Sequence, residues 1–307
     1  MSIRFDGRVA IVTGAGNGLG RAHARALAER GAKVVINDLG GTGHGEGASA
    51  SIAETVAEEI RSAGGEAIAD GADVSEAGEV EAMVAKAMKR WGRVDILVNN
   101  AGITRDKSFA KMDMADFRKV LDVHLVGTTL CTQAVWGIMR EQKYGRIVMT
   151  SSTSGLYGAF AQAAYAAAKA AMLGLMNVLH IEGAKHGIRV NLLAPWASTR
   201  LTAGLLPAGA LDLMGPECVT PGLLFLVSEN APARIMLSAG SGCFARIRLF
   251  ESEAVFFPAP ERTPEMIARR FEEISSTAAQ REVSDTFDQN SYLVKKAAAA
   301  LGIPSPL

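Results

Sequence analysis

The stretch from Val9 to Gly20 limits the fold more than any other. Val9 to Val12 is a short apolar run, and Thr13-Gly14-Ala15-Gly16-Asn17-Gly18-Leu19-Gly20 follows it without a break. Arg21 to Arg30 then carries alanines and leucines on one side of a predicted helix. Strand, glycine-rich turn and helix is the setting in which such glycines hold a dinucleotide. They let the backbone approach a pyrophosphate and place it at a helix N-terminus, where free N–H groups and the helix dipole favour negative charge. The same turn without a ligand is the competing reading.

Strands and helices alternate along the rest of the chain. Lys33 to Asp38 reads as the second strand, with Asp38 at its end, eighteen residues after Gly20. A carboxylate there accepts hydrogen bonds from a ribose 2′-hydroxyl and repels a 2′-phosphate, which favours NAD over NADP; the alternative is an ordinary turn or cap aspartate. Gly40 to Gly47 is a glycine-dense loop, expected to be mobile. A helix from Ser49 to Ala63 stops at Gly64-Gly65, a strand covers Glu66 to Ala69, and Asp73-Val74 follows, with Asp73 placed to reach an adenine edge. Then come a helix over Glu76–Trp91, a buried strand over Val94–Val98 and the sequence Asn99-Asn100-Ala101-Gly102. Asp113 to Glu141 is one long helical region containing His124, and Arg146–Met149 is a strand. A helix through Tyr165 runs to about Lys185, and the strand Arg189–Leu193 leads into Ala194-Pro195-Trp196. Ser198 to Gly215 reads as a lid, Pro216 to Ser228 as helix, and Ser238 to Phe250 as the final strand. This alternation predicts an α/β fold, a doubly wound parallel sheet covered by helices on both faces.

Three residues near the middle form a candidate proton-transfer site. Tyr165 and Lys169 are four apart on an alanine-rich stretch, so a helix brings both to one face. A free phenol, with a pKa of about 10, is a poor base at neutral pH. An ammonium group within ~4–6 Å favours the phenolate. Ser152 lies thirteen residues before Tyr165 across a glycine-containing loop, where its hydroxyl can hold a substrate oxygen. Such a set suits alcohol/carbonyl interconversion with hydride passing to or from a cofactor. Taken alone, a Tyr-x-x-x-Lys pair is more often a surface pair, and the upstream motifs carry the reading.

Composition bounds the remaining classes. A chain of 307 residues has room for one large α/β domain or two small ones. Lys plus Arg equals Asp plus Glu at 32 each, so charge offers no argument for nucleic acid or an acidic membrane surface. Cys131, Cys218 and Cys243 are far apart and lack metal spacing, which fits free thiols and neither a disulfide framework nor a metal site. No secretory leader and no uncharged apolar run of the ~18–20 residues a membrane span needs are evident. With a terminal Pro-Ser-Pro-Leu in place of a peroxisomal address, a cytoplasmic location is expected. Charge rises after about Phe250. There Thr263-Pro264-Glu265 opens one helix and Asp288 to Leu301 forms another, stopped by Gly302 and Pro304. Residues 1–250 are therefore expected to form the sheet domain, and 251–307 a helical extension.

In order and spacing, Thr13 to Gly20, Asn99 to Gly102, Ser152 and Tyr165-x-x-x-Lys169 resemble the short-chain dehydrogenase/reductase family, from about Val9 to Phe250. The resemblance implies a Rossmann-type fold and a dinucleotide held by Gly14, Asn17, Gly18, Leu19, Gly20, Asp38, Asp73, Val74, Asn100, Ala101, Gly102, Tyr165, Lys169 and Pro195. It implies that Tyr165 is the acid/base, that Lys169 holds the nicotinamide ribose and lowers the Tyr165 pKa, and that Ser152 orients the carbonyl. A closer likeness is to the (3R)-hydroxyacyl-CoA dehydrogenase unit of the multifunctional enzymes of type 2 and their bacterial relatives. It lies in Val35 to Gly41 with its glycine-rich insertion, Val123-His124-Leu125, Ser154 to Gly158, Gln162-Ala163 and the charged tail. That likeness implies a homodimer, with a tetramer also open. Two positions depart from the wider family. His124 stands at a relay position usually held by Asn, where a neutral imidazole supports a water relay or is simply a satisfied core histidine. Trp196 stands where Gly is common and is expected to narrow the nicotinamide side of the pocket.

The implied activity is NAD-dependent oxidation of a secondary alcohol to a ketone, with an acyl-CoA or steroid-like alcohol as substrate and a 3-hydroxyacyl-CoA foremost. A hydroxysteroid dehydrogenase and a 3-oxoacyl-thioester reductase are the competing enzymes. A dinucleotide-binding sensor without chemistry is the competing class, which the intact Ser152, Tyr165 and Lys169 disfavour.

Overall fold

The computed structural model describes residues 2–49, 51–197, 209 and 212–307. The expected lid over Ser198–Gly215 lies mostly outside these residues. The chain divides into two compact units, Met1–Arg246 and Ile247–Leu307.

The first unit is built on one eight-stranded sheet in the order β3-β2-β1-β4-β5-β6-β7-β8. Its strands are β1 (Val9–Thr13), β2 (Lys33–Asn37), β3 (Glu66–Asp70), β4 (Ile96–Asn99), β5 (Gly145–Thr150), β6 (Ile188–Trp196), β7 (Met236–Gly240) and β8 (Cys243–Ile247). From β3 through β7 every neighbouring pair is parallel. Strands covered on both faces read as continuous apolar runs, and Val9 to Val12, Ile96 to Val98 and Ile147 to Met149 are all fully buried. The order reverses between β1 and β4. In open α/β sheets that reversal opens a crevice beyond the carboxyl ends of the strands, where ligands bind.

Helices α1 (Gly18–Glu29), α2 (Ser51–Ser62) and α8 (Thr220–Leu226) pack together on one face. On the other face α3 (Ala77–Trp91) packs on α5 (Gly127–Gln142), and α4 (Met114–Leu121) packs on α7 (Ala163–Gly183). A short helix, α6 (Thr153–Tyr157), lies against α7. Asp95 ties β1 to β4 at the opposite end of the sheet: its fully buried carboxylate accepts from the Val9 N–H at 2.9 Å and pairs with Arg8 and Arg93.

Several boundaries differ from those the sequence predicts. Helix α1 begins at Gly18, three residues before the predicted start, so the glycine turn is its first turn. The region 113–141 is helical throughout but changes pitch: residues 122–126 form a π-helical turn that carries His124. The predicted final strand is two strands joined by Ser241 and Gly242, whose φ values of 50° and 73° suit a tight hairpin turn. Residues 163–186 are long and apolar enough by length and mean hydropathy to cross a membrane, but the run is not uncharged, since it contains Lys169, Glu182 and Lys185. That segment packs on β5 and β6 and buries the charged side chain of Lys169.

The second unit, residues 247–307, contains a two-stranded antiparallel ribbon and the helices α9 (Pro264–Arg269), α10 (Phe271–Ile274) and α11 (Thr286–Leu301). The Thr263 hydroxyl caps α9 by accepting the Met266 N–H at 3.2 Å, as its Thr-Pro-Glu opening predicts. Gly302 ends α11 in the left-handed conformation, φ 66°.

Candidate active site

Beyond the ends of β1, β2 and β4 lies a cavity of about 220 Å³. Gly14, Asn17, Gly18 and Leu19 line it from the glycine turn, Asp38 from the end of β2, Asp73 and Val74 from the loop after β3, and Asn100, Ala101 and Gly102 from the loop after β4. These predicted residues converge as expected. Gly20 and Pro195 do not line it. Gly20 acts from behind, because any Cβ there would collide with the Gly14 carbonyl oxygen. Pro195 sits within β6, paired with Ala239 of β7.

The turn is held by two residues of the predicted motifs, Thr13 and Asn100. The Thr13 hydroxyl accepts the N–H groups of Asn100 and Ala101, each at 3.0 Å. The Asn100 amide donates to the carbonyls of Thr13 at 3.0 Å and Gly14 at 3.1 Å. Gly14 has φ +62°, and its α-carbon passes so close to Ala101 that a Cβ would stand 2.8 Å from that backbone. The result is a backbone cradle that any side chain would fill, at the N-terminus of a twelve-residue helix.

Asp38 braces this cradle. Its Oδ2 accepts the Gly16 N–H at 2.8 Å and its Oδ1 accepts the Gly40 N–H at 2.7 Å. Asp73 also faces the cavity, but its Oδ1 is taken by the Ser75 N–H and hydroxyl at 2.9 and 2.6 Å. Its Oδ2 lies 3.9 Å from Lys119, a further lining residue that only the fold reveals, since α4 brings it across from a distant part of the chain.

Ser152, Tyr165 and Lys169 meet at the end of β5. Ser152 caps α6, its hydroxyl accepting the Ser154 N–H at 3.1 Å. Lys169 is buried, and its Nζ donates to the Thr150 carbonyl at 2.6 Å. The Ser151 hydroxyl returns a bond to the Lys169 carbonyl at 2.9 Å, so α7 is fastened to β5 at the lysine itself. Tyr165 is partly exposed one turn earlier, with Lys169 Nζ 5.6 Å from its ring centre.

The electrostatics depart from the expectation in one respect. Burial pushes the Tyr165 phenol above its ordinary value, Ser152 pulls it down, and Asp106 pushes it up. Lys169 does not lower it. The lysine is itself pushed down to about 7 by burial, which makes its charge weak at neutral pH.

His124 packs edge-on against Tyr165, the ring centres 5.3 Å apart. Its Nε2 lies 3.0 Å from the Ile103 nitrogen and 2.8 Å from the Ile103 oxygen. Burial, and then the nearby Lys169, hold it well below its ordinary value, so it is neutral. Its buried Nδ1 has no hydrogen-bond partner among the described residues. His124 is thus only half satisfied by the core. Gly102 makes this contact possible, since a Cβ there would run into the imidazole. Trp196 is 40% exposed at the end of β6.

The glycine-dense loop, expected to be mobile, is fastened by hydrogen bonds to the segment after β4. The Thr104 N–H donates to the Gly43 carbonyl at 2.9 Å, and the Arg105 guanidinium donates to the His44 carbonyl at 3.0 Å.

Comparison with known proteins places this geometry. A family model described as short chain dehydrogenase matches residues 8–204. The peroxisomal multifunctional enzyme type 2 of Drosophila melanogaster is 51% identical over 228 residues, 74% of this chain and 38% of that protein. A short-chain type dehydrogenase/reductase of Mycobacterium tuberculosis, known as Rv0148, is 43% identical over 263 residues, 85% of this chain and 92% of that protein. The full-length Drosophila enzyme superposes with a TM-score of 0.81 at 34% identity, covering 97% of this chain and 50% of that one. A 7α-hydroxysteroid dehydrogenase complexed with NADH and a 7-oxo bile acid superposes at 0.70 and 31% identity, covering 78% of this chain and 95% of that one. The chain spans about a third of the length of the multifunctional relatives from fly, yeast and mouse that it matches. Those relatives are named as peroxisomal enzymes, which overturns the cytoplasmic expectation.

Proposed function

The chain belongs to the short-chain dehydrogenase family and is an oxidoreductase that uses a nicotinamide dinucleotide, and we propose that it oxidises a 3-hydroxyacyl-CoA to the 3-oxoacyl-CoA with NAD. The observation that carries the reading is the meeting of Ser152, Tyr165 and Lys169 at the end of β5, joined through His124 and Gly102 to a glycine cradle.

The bound dinucleotide supplies the hydride acceptor. Gly14, Asn17, Gly18 and Leu19 would hold its pyrophosphate at the start of α1, and Asn100, Ala101 and Gly102 its adenosine half. Asp38 supports NAD, because a carboxylate at the end of β2 repels a 2′-phosphate. The Ser152 hydroxyl hydrogen-bonds the substrate oxygen. Tyr165 takes the hydroxyl proton onto Oη. Lys169, fixed to the Thr150 carbonyl, would hold the nicotinamide ribose, and a neutral His124 fixes the Tyr165 ring and offers Nδ1 to a water relay. The end of α6 and the loop after it present Tyr157 and Phe160, 72% and 91% exposed, as an apolar surface suited to an acyl chain.

The names of the relatives support a dehydrogenase activity and a peroxisomal setting, and the thioester substrate and a homodimer are proposed on the resemblance of the sequence motifs. The hydroxysteroid dehydrogenase neighbour favours a second reading, a steroid alcohol on the same surface. The test is NADH formation from (R)- and (S)-3-hydroxyacyl-CoAs and from free steroid alcohols, each with NAD and NADP. Turnover of the (R)-thioester with NAD supports the proposal. Turnover of the steroid alone moves the assignment to the second reading, and preference for NADP refutes the role given to Asp38.

A further inference from the structure

The glycine-dense loop after β2 is a closed structure with a docked tip. At its base the Ser49 N–H donates to the Leu39 carbonyl at 2.8 Å. In its middle the Thr42 N–H donates to Glu46 at 2.8 Å and the Gly45 N–H to Thr42 at 3.0 Å, a local turn that the Thr42 hydroxyl braces by accepting from His44 and Glu46. At its tip the His44 Nδ1–H donates to the Thr104 carbonyl at 2.9 Å. The Thr104 N–H and the Arg105 guanidinium close the same junction from the other side. Gly45, at φ +79°, lies against Ile103, where a Cβ would stand 3.1 Å from the isoleucine Cδ1.

The strand order gives this docking its consequence. β2 and β4 flank β1 on opposite sides. A loop that leaves β2 and docks on the segment after β4 must cross over the end of β1, where the glycine turn begins. Thr42, Gly43 and Gly45 accordingly line the same cavity as Gly14, Asn17 and Gly18. Most of that crossing is bare backbone, which lets it pass close to whatever the cradle holds.

We propose that residues 40–47 are a strap latched across the middle of the bound dinucleotide, with His44 as the positioning residue that holds the latch. The strap sets how long the dinucleotide stays, since departure requires the junction with Thr104 to open. The proposal rests on the reading that this cavity takes NAD.

Stopped-flow fluorescence of NADH displaced by excess NAD tests it without any turnover. The wild-type protein, His44→Ala, His44→Asn and Gly45→Val are compared, with far-UV circular dichroism confirming that each is folded. His44→Ala removes the donor, and Gly45→Val wedges the tip away from Ile103. Both are expected to raise the NADH dissociation rate about tenfold, the scale set by losing a hydrogen bond and its docking contacts. His44→Asn, which keeps a donor near the Nδ1 position, is expected to recover most of the wild-type rate. Dissociation rates unchanged or lower in both disruptive variants overturn the strap. Failure of the wild-type protein to bind NADH overturns the underlying reading of the cavity instead.

Discussion

Tyr165 stands between opposing influences. Burial holds its phenol protonated, and the Ser152 hydroxyl works the other way. Oxidation needs the phenolate to accept a proton, so kcat/KM for NADH formation is expected to rise with pH from 6 toward 10, while carbonyl reduction, which needs the phenol, falls. A profile of oxidation that is flat over this range contradicts the role given to Tyr165. Lys169 gives a second residue-scale prediction. Its pKa is about 7 folded and near 10 unfolded, so the unfolded chain binds more protons between those values and stability rises with pH there. Denaturant unfolding at pH 7 and pH 9 is expected to show wild type gaining about 2–3 kcal/mol relative to Lys169→Met. An equal gap at both pH values contradicts a buried, weakly charged lysine. The residue types at this site were legible in the sequence because helical spacing puts Tyr165 and Lys169 on one face. The burial that reverses the expected Tyr165 shift was not legible, because it comes from the packing of α7 on β5 and β6.

At the scale of elements, the π-helical turn at 122–126 aims His124 at Ile103 and Tyr165. Apolar periodicity reports a helix there but not a change of pitch, so the sequence read one long helix. The same limit applied to the glycine-dense loop. Its composition suggests mobility, and its hydrogen bonds to Thr104 and Arg105 depend on a segment some sixty positions away. Gly102 depends on the π-helical turn most directly. Gly102→Ala is expected to displace the imidazole and lower kcat at least tenfold, on the ordinary scale of a misplaced reacting group. Because the two residues act through one contact, Gly102→Ala in a His124→Ala background is expected to cost little more, measured as a double-mutant cycle on kcat. Additive losses would show that Gly102 acts elsewhere.

At the scale of the molecule, alternation of strand and helix predicted the doubly wound sheet, and the switch between β1 and β4 explains why the glycine turn and the loop after β4 share one cavity. The second unit was less legible. Charge marks its approximate start, but the exposed Phe271, Phe287 and Leu301 have no pattern that names what covers them. A homodimer is the proposed answer, and sedimentation of the full chain is expected to give about twice the chain mass of 32.3 kDa. A monomer at micromolar concentration contradicts it. The central claim is that Tyr165 transfers the proton in a cradle that binds NAD independently. It is tested most directly by a single-turnover measurement with Tyr165→Phe and a 3-hydroxyacyl-CoA, beside a titration of NADH binding. The account predicts a loss of about 10²–10⁴ in the rate of NADH formation with NADH affinity within a few-fold of wild type. A Tyr165→Phe protein that forms NADH at the wild-type rate contradicts it.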